Sequence, residues 1–180
     1  MGKVFLDMAV SLDGFVNGPN GEDGGLHDWY FSPLGDGQVI LNELLQNVGA
    51  MIMGKRTFGE QPDGFDTPYK VPHFVLSHEA RTPIERDGAQ FIFVTDGIES
   101  ALAQAKAAAG SKDVCVAGGV DTAQQYLQAG LLDEIQLHLV PVLFGGGLRL
   151  FESGIEKTQL ERMRVLESPH ATHLKFRVIK

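Results

Sequence analysis

Val114-Cys115-Val116-Ala117-Gly118-Gly119-Val120-Asp121-Thr122 begins as a short apolar, β-branched run, breaks at two adjacent glycines and continues into a helical pattern. Two glycines let the backbone approach a ligand closely, because no Cβ intervenes. A helix that starts directly after them aims free N–H groups and its positive dipole end at the same point. The stretch therefore reads either as a cradle for a phosphate or as a tight strand-to-helix turn. Its spacing is not G-x-G-x-x-G, so the usual dinucleotide fingerprint is absent. The surrounding chain has to decide between the two readings.

Immediately downstream, Asp121 and Gln124 have the spacing of an N-cap and capping box for a helix that ends at Gly130. Upstream, Ile98, Ala101, Leu102 and Ala105 mark an amphipathic helix that stops at Gly110. Further back, Ala50-Met51-Ile52-Met53 reads as a buried strand that runs into Gly54-Lys55-Arg56-Thr57-Phe58. Strands are also predicted over Pro72–Ser77 and Ala89–Thr95, and a helix over Asp36–Asn47 with Asp36 as its cap. Gly59 to Val71 reads as irregular.

The first strand, Lys3–Ser11, alternates Val4, Leu6, Met8 and Val10 with Phe5, Asp7, Ala9 and Ser11. Asp7 is out of place in mid-strand, where Asp is depleted. It reads either as a solvent-facing or edge position or as a carboxylate aimed into a pocket. Asp13 to Pro33 is long for a structureless loop, and such loops tend to be lids or binding loops. It carries Trp29, the only tryptophan.

Beyond Leu132 the alternation of helix and strand stops. Ile135 to Leu143 is predicted as a long strand, with a bulge or strand end at Pro141. Gly145-Gly146-Gly147 follows, and Thr158–Glu167 with Thr172–Ile179 reads as an antiparallel hairpin. No internal repeat or linker interrupts the 180 residues, so one α/β domain over 1–180 is expected.

Composition excludes several classes. A net charge of −8 leaves no basic footprint for sequence-independent nucleic-acid binding and disfavours an anionic membrane surface. No run approaches membrane-spanning length. Cys115 is the only cysteine, so no intrachain disulfide is possible, and a buried inert thiol is expected. With no secretory leader pattern at the N-terminus, a cytoplasmic protein is expected. No metal site is expected.

In an open α/β sheet, ligands bind beyond the carboxyl ends of the strands. Several predicted strands end there in glycine or polar turns. Lys55, Thr57, Gly118, Gly119 and the helix start at Thr122 suit a pyrophosphate. Arg56, Ser77, His78 and Arg81 suit an adenosine-side phosphate.

The same residues carry a family likeness. Ser11-Leu12-Asp13-Gly14-Phe15, Met53-Gly54-Lys55-Arg56-Thr57-Phe58, Ala117-Gly118-Gly119 and Leu137-His138-Leu139-Val140-Pro141-Val142-Leu143-Phe144-Gly145-Gly146-Gly147 stand in an order that resembles the dihydrofolate reductase-like superfamily. Within it the chain looks most like the group related to the C-terminal reductase domain of the bifunctional riboflavin-biosynthesis deaminase-reductase. The resemblance implies a three-layer α/β fold. Its central sheet is mixed and mostly parallel, of about eight strands, with helices on both faces and a C-terminal antiparallel hairpin.

The resemblance also implies NADPH as cofactor. It places Ala9, Gly18, Gly54, Lys55, Arg56, Thr57, Leu76, Ser77 and His78 at the cofactor, together with Ala117, Gly118, Gly119, Val120, Asp121 and Thr122. The Asp13–Trp29 loop would cover the nicotinamide. Asp7, His138 and Asp36 are the expected catalytic groups, and Ser11, Trp29 and Phe58 the expected substrate contacts. His138 reads alternatively as a satisfied core histidine. A homodimer is expected from the resemblance alone.

The leading expectation is thus an NADPH-dependent reductase acting on a small pteridine- or pyrimidine-like heterocycle or a carbonyl compound. A true dihydrofolate reductase and a non-catalytic NADP-binding module are the alternatives.

Overall fold

The computed structural model describes residues 2–60, 62–152 and 157–180. Its strands are β1 (Val4–Ser11), β2 (Val48–Gly54), β3 (Pro72–Leu76), β4 (Ile84–Arg86), β5 (Ala89–Val94), β6 (Asp113–Val116), β7 (Glu134–Val140), β8 (Gln159–Glu167) and β9 (Thr172–Ile179). The helices are α1 (Asp28–Phe31), α2 (Asp36–Asn47), α3 (Lys55–Phe58), α4 (Ile98–Ala109) and α5 (Val120–Gln128).

All nine described strands form one sheet in the order β4-β5-β3-β2-β6-β1-β7-β9-β8. From β5 to β7 neighbouring strands are parallel. β4 pairs antiparallel with β5, and the β8–β9 hairpin joins β7 through an antiparallel β7–β9 pair. The expected sheet of about eight strands gains β4, whose three residues are too short and too charged to show a period.

β1 lies between β6 and β7, so Asp7 sits in a central strand rather than at an edge. Central parallel strands bury both faces, and the two faces of β1 meet different partners. Val4, Leu6 and Val10 join Ala50, Ile52 and Val116 in a core that also takes in Ala101, Ala105, Ala123 and Tyr126 of α4 and α5. Phe5 and Ala9 join Met51 and Cys115 beneath Trp29 of α1 and Ile40 and Leu44 of α2. Asp7 shares the parity of that second face.

Three local expectations are corrected. Asp36 does not cap α2 and Asp121 does not cap α5. Gly35 and Gly119 occupy those positions, without a side-chain cap in either case. Both aspartates stand in the first turn instead, where the helix dipole still favours them. Gln124 is spent elsewhere, donating to the Leu150 carbonyl at 3.0 Å. β7 ends at Val140 rather than Leu143, at the strand end expected beside Pro141, which has no N–H to continue the ladder.

Candidate active site

β2 and β6 are neighbours, so their carboxyl-end turns meet. The Gly54 N–H donates to the Gly118 carbonyl at 2.9 Å, and the Ala117 N–H to the Ile52 carbonyl at 2.9 Å. A Cβ on Gly54 would stand 2.9 Å from Thr122 Oγ1, and one on Gly119 would stand 3.3 Å from Thr57 Oγ1. Gly118 has φ +104°, which L side chains rarely adopt, and a Cβ there would meet Met8 Cε at 3.3 Å. The Gly118–Gly119 peptide is cis. The three glycines thus leave a concavity that Cβ atoms would fill, edged by two threonine hydroxyls. The nine-residue α5 starts in it with no side chain on its first N–H groups. Val120 is buried, so it offers this cradle only its backbone.

Other residues expected at the cofactor have more ordinary surroundings. Lys55 Nζ donates to the Gly59 carbonyl at 2.8 Å. Arg56 is highly exposed and lies 3.5 Å from the equally open Asp121, a pair worth well under about 1 kcal/mol. Ser77 closes a turn with Glu79, and His78 is exposed. Leu76 packs partly against the α4/α5 core, and Ala9 lies in the opposite one. Arg81 stacks its guanidinium 4.5 Å from the Phe93 ring centroid. Gly18 is buried, with its N–H on the Glu22 carbonyl.

The β1–β7 register sets Asp7 beside Gln136 and Ala9 beside His138. Asp7 Oδ1 accepts from Gln136 Nε2 at 2.8 Å and faces His138 Nε2 at 3.0 Å. The imidazole of His138 is fully buried, while the Asp7 side chain keeps 15% exposure. Trp29 lies over His138 with ring centroids 3.7 Å apart, and its Nε1 is a buried donor without a partner among the described residues. Tyr69 and Tyr30 join by a side-chain hydrogen bond near Asp7; burial raises both phenols, with the Asp7 charge adding to it, and Tyr30 reaches about 12. Burial likewise raises Cys115, which keeps it a thiol.

Three residues expected at the reacting end therefore come together: Asp7, His138 and Trp29. Two others are placed elsewhere. Phe58 is enclosed by Phe65, Phe91 and Phe93 in a separate cluster with Met53 and Val75, so it cannot present its ring to Asp7. Ser11 is fully buried and its hydroxyl is occupied, donating to Asp13 Oδ1 at 2.6 Å and accepting from the Phe15 N–H at 2.9 Å. Asp13 in turn takes the N–H groups of Phe144 and Gly145. The hydrogen bond from Ser11 leads the lowering of its carboxyl to about 2. Asp36, half-buried at the start of α2, affects the site through its charge on His173.

The model of the RibD C-terminal domain family matches residues 2–174. The chain belongs to that family. A Bacillus subtilis relative described as the uncharacterized protein YyaP is 31% identical over 159 residues, covering 83% of this chain and 80% of its own. Among solved structures, a putative riboflavin biosynthesis protein from Shewanella sp. PV-4 superposes with a TM-score of 0.77 at 24% identity, covering 99% of both chains. Dihydrofolate reductase from Enterococcus faecalis, complexed with NADP(H) and RAB-propyl, superposes with a TM-score of 0.64 at 14% identity, covering 99% of this chain and 98% of its own. The two structures show the dihydrofolate reductase-like fold.

Sequence reading of this RibD C-terminal domain missed His173 and Ser168. His138 Nδ1 lies 2.7 Å from His173 Nδ1, and His173 Nε2 lies 2.9 Å from Ser168 Oγ. The available signal was a histidine in an otherwise alternating strand, but only the β7–β9 register, which pairs His138 with His173, gives it meaning. A cleft lies at the amino ends of β3 and β5 between Lys70 and Glu85, on the rim opposite the cradle. It holds none of the expected chemistry.

Burial, with His138 beside it, pushes His173 down to about 4, against the opposing charges of Asp7 and Asp36. His73 is also fully buried and pushed down to about 4, chiefly by burial. Its Nδ1 sits 2.8 Å from the Val71 carbonyl, and Nε2 has no partner among the described residues. An unfolded histidine, near 6.5, takes up a proton that the folded one refuses. Stability is therefore complete above about pH 6.5 and is lost as pH falls toward 4. Each histidine contributes on the order of 3 kcal/mol. Urea unfolding across that range should show the loss, and His73→Phe should remove about half of it. A midpoint that stays flat between these pH values contradicts both assignments.

Proposed function

We propose that this chain is an NADPH-dependent reductase of a small pteridine- or pyrimidine-like heterocycle or a carbonyl compound. The observation that carries the reading is the glycine cradle at the carboxyl ends of β2 and β6. A Cβ on Gly118 would reach Met8 of β1, whose side chain packs with the α4/α5 core, and the Asp7–His138 pair lies on the other face of the same strand. The cradle fits a pyrophosphate: close backbone, two hydroxyls and an uncapped helix start are what its oxygens require.

When bound, the cofactor supplies a hydride to the substrate carbon. The protein has to hold that carbon in place and provide a proton to the neighbouring oxygen or nitrogen. Asp7 is the group for the second task, because it is part-exposed beside a buried imidazole that can share its proton. Gln136 fixes the carboxylate, and Trp29 fixes the plane of His138. The buried Trp29 N–H offers a donor to a polar heterocycle. RibD C-terminal membership supports a pyrimidine-like substrate, and the fold shared with the NADP(H)-bound Enterococcus enzyme supports the cofactor.

The test is NADPH oxidation, followed by its absorbance, over a panel of aminopyrimidines, dihydropteridines including dihydrofolate, and simple carbonyl compounds. Turnover of a pyrimidine or pteridine is the expected result. Tight NADPH binding with no turnover on the panel would overturn the enzymatic reading in favour of a binding module.

A further inference from the structure

Asp7, His138, His173 and Ser168 form an unbroken file from the pocket to the turn between β8 and β9. It crosses three strands that are adjacent in the sheet but far apart in sequence. Its outer end is half-buried: Ser168 lies in the turn, beside Gly37 of α2. We infer that this file is a proton conduit that recharges Asp7 from the surface, with His173 and Ser168 as its positioning residues. The inference rests on the reductase reading, in which each turnover removes one proton from Asp7.

Donor and acceptor counting gives the file a direction. An ionised carboxylate only accepts, so His138 must donate from Nε2. A neutral His138 then has a bare Nδ1, which must accept from His173 Nδ1–H. His173 Nε2 is left bare and accepts from the Ser168 hydroxyl. That hydroxyl lies 3.2 Å from the Ala171 carbonyl, which also accepts the Ser168 N–H, and 2.9 Å from His173 Nε2; in this arrangement it turns to the nearer nitrogen. Every proton thus points toward Asp7.

One shift along the file balances. Ser168 passes its proton to His173 Nε2 and is reprotonated by solvent. His173 passes its Nδ1 proton to His138 Nδ1, and His138 passes its Nε2 proton to Asp7. Each link loses one proton and gains one; the net result is a protonated Asp7 with both imidazoles in the opposite tautomers, which ring rotation restores before the next turnover.

The packing around the file keeps water off its length. Trp29 covers His138 and stands edge-on to His173, with ring centroids 5.1 Å apart. The charged and titratable groups that bear on His173 are Asp7 of β1, Asp36 of α2, Arg164 of β8 and His138 of β7, with Ser168 at its outer edge. The two aspartates oppose the histidine and the arginine. Burial, the largest influence, keeps His173 neutral near pH 7.

The test has a substrate-free arm and a turnover arm. In ligand-free protein with isotope-labelled histidine, nitrogen NMR should find the Nε2–H form of His138 and the Nδ1–H form of His173. The buried His138 N–H should exchange with water, and Ser168→Ala should slow that exchange by about tenfold or more, with Ser168→Thr restoring it. In turnover, Ser168→Ala should lower kcat by about tenfold and enlarge the solvent deuterium effect, with KM for NADPH unchanged. Reversed tautomers, or exchange and isotope effects equal to those of the parent protein, overturn the conduit. Absence of turnover in the parent protein would remove the reductase reading, while the exchange arm still decides whether the file carries protons.

Discussion

Asp7→Asn is expected to lower kcat on any accepted substrate by about 10²–10⁴-fold, the usual contribution of one positioned acid or base, with NADPH affinity held within about twofold. Asparagine has the shape of aspartate. Its carbonyl oxygen can keep the bonds from Gln136 Nε2 and His138 Nε2, at 2.8 and 3.0 Å in the parent. The central position of β1 and the packing of Phe5 and Ala9 on either side should therefore survive. What disappears is the capacity to carry a proton. The split between kcat and cofactor affinity separates this loss from a general disturbance of the rim, which would weaken both. Equal kcat in Asp7→Asn and the parent would place the proton source elsewhere.

Gly119→Val should weaken cofactor binding sharply while sparing the fold. Gly119 has φ −71°, a value any residue adopts, so a side chain there strains nothing in the backbone. Its Cβ would stand 3.3 Å from the hydroxyl of the exposed Thr57, which can turn away. The two added methyl groups would occupy the space above the first N–H groups of α5. A rise in Kd for NADPH of about 100-fold or more is expected, a loss of about 2.7 kcal/mol. Thermal unfolding should stay within a few degrees of the parent, and calorimetric titration would measure the affinity. Gly118 is a poorer choice, because its φ of +104° would make any substitution a test of folding instead. Retained affinity in Gly119→Val would mean that no phosphate sits against α5.

The parts of this protein visible in its sequence are those governed by local periodicity. The alternation of β1 exposed Asp7 as the one charge on an otherwise apolar strand. The apolar runs ending at Gly54 and Gly118 located the rim before any pairing was known. The parts that stayed hidden depend on contacts between distant segments. His173 is one polar residue among several in an alternating strand until the antiparallel β7–β9 register sets it against His138. Phe58 follows a promising Gly-Lys-Arg-Thr turn, yet α3 rotates it into the Phe65–Phe91–Phe93 cluster. Trp29 sits on a helix of four residues, too short for any periodic signal. Asp36 and Asp121 illustrate a different limit. An aspartate just before an apolar helix reads as a cap, but a glycine one or two residues earlier can take the cap position and leave it in the first turn.

The central claim is that the turns after β2 and β6 hold the pyrophosphate of one coenzyme. The direct measurement is a titration of isotope-labelled protein with NADP, read from backbone amide shifts. The account expects saturable shifts concentrated at Gly54 to Thr57 and Gly118 to Thr122, with smaller ones at Met8 and Ala9. Shifts confined to the cleft near Lys70 and Glu85, or no shifts at millimolar NADP, would contradict it.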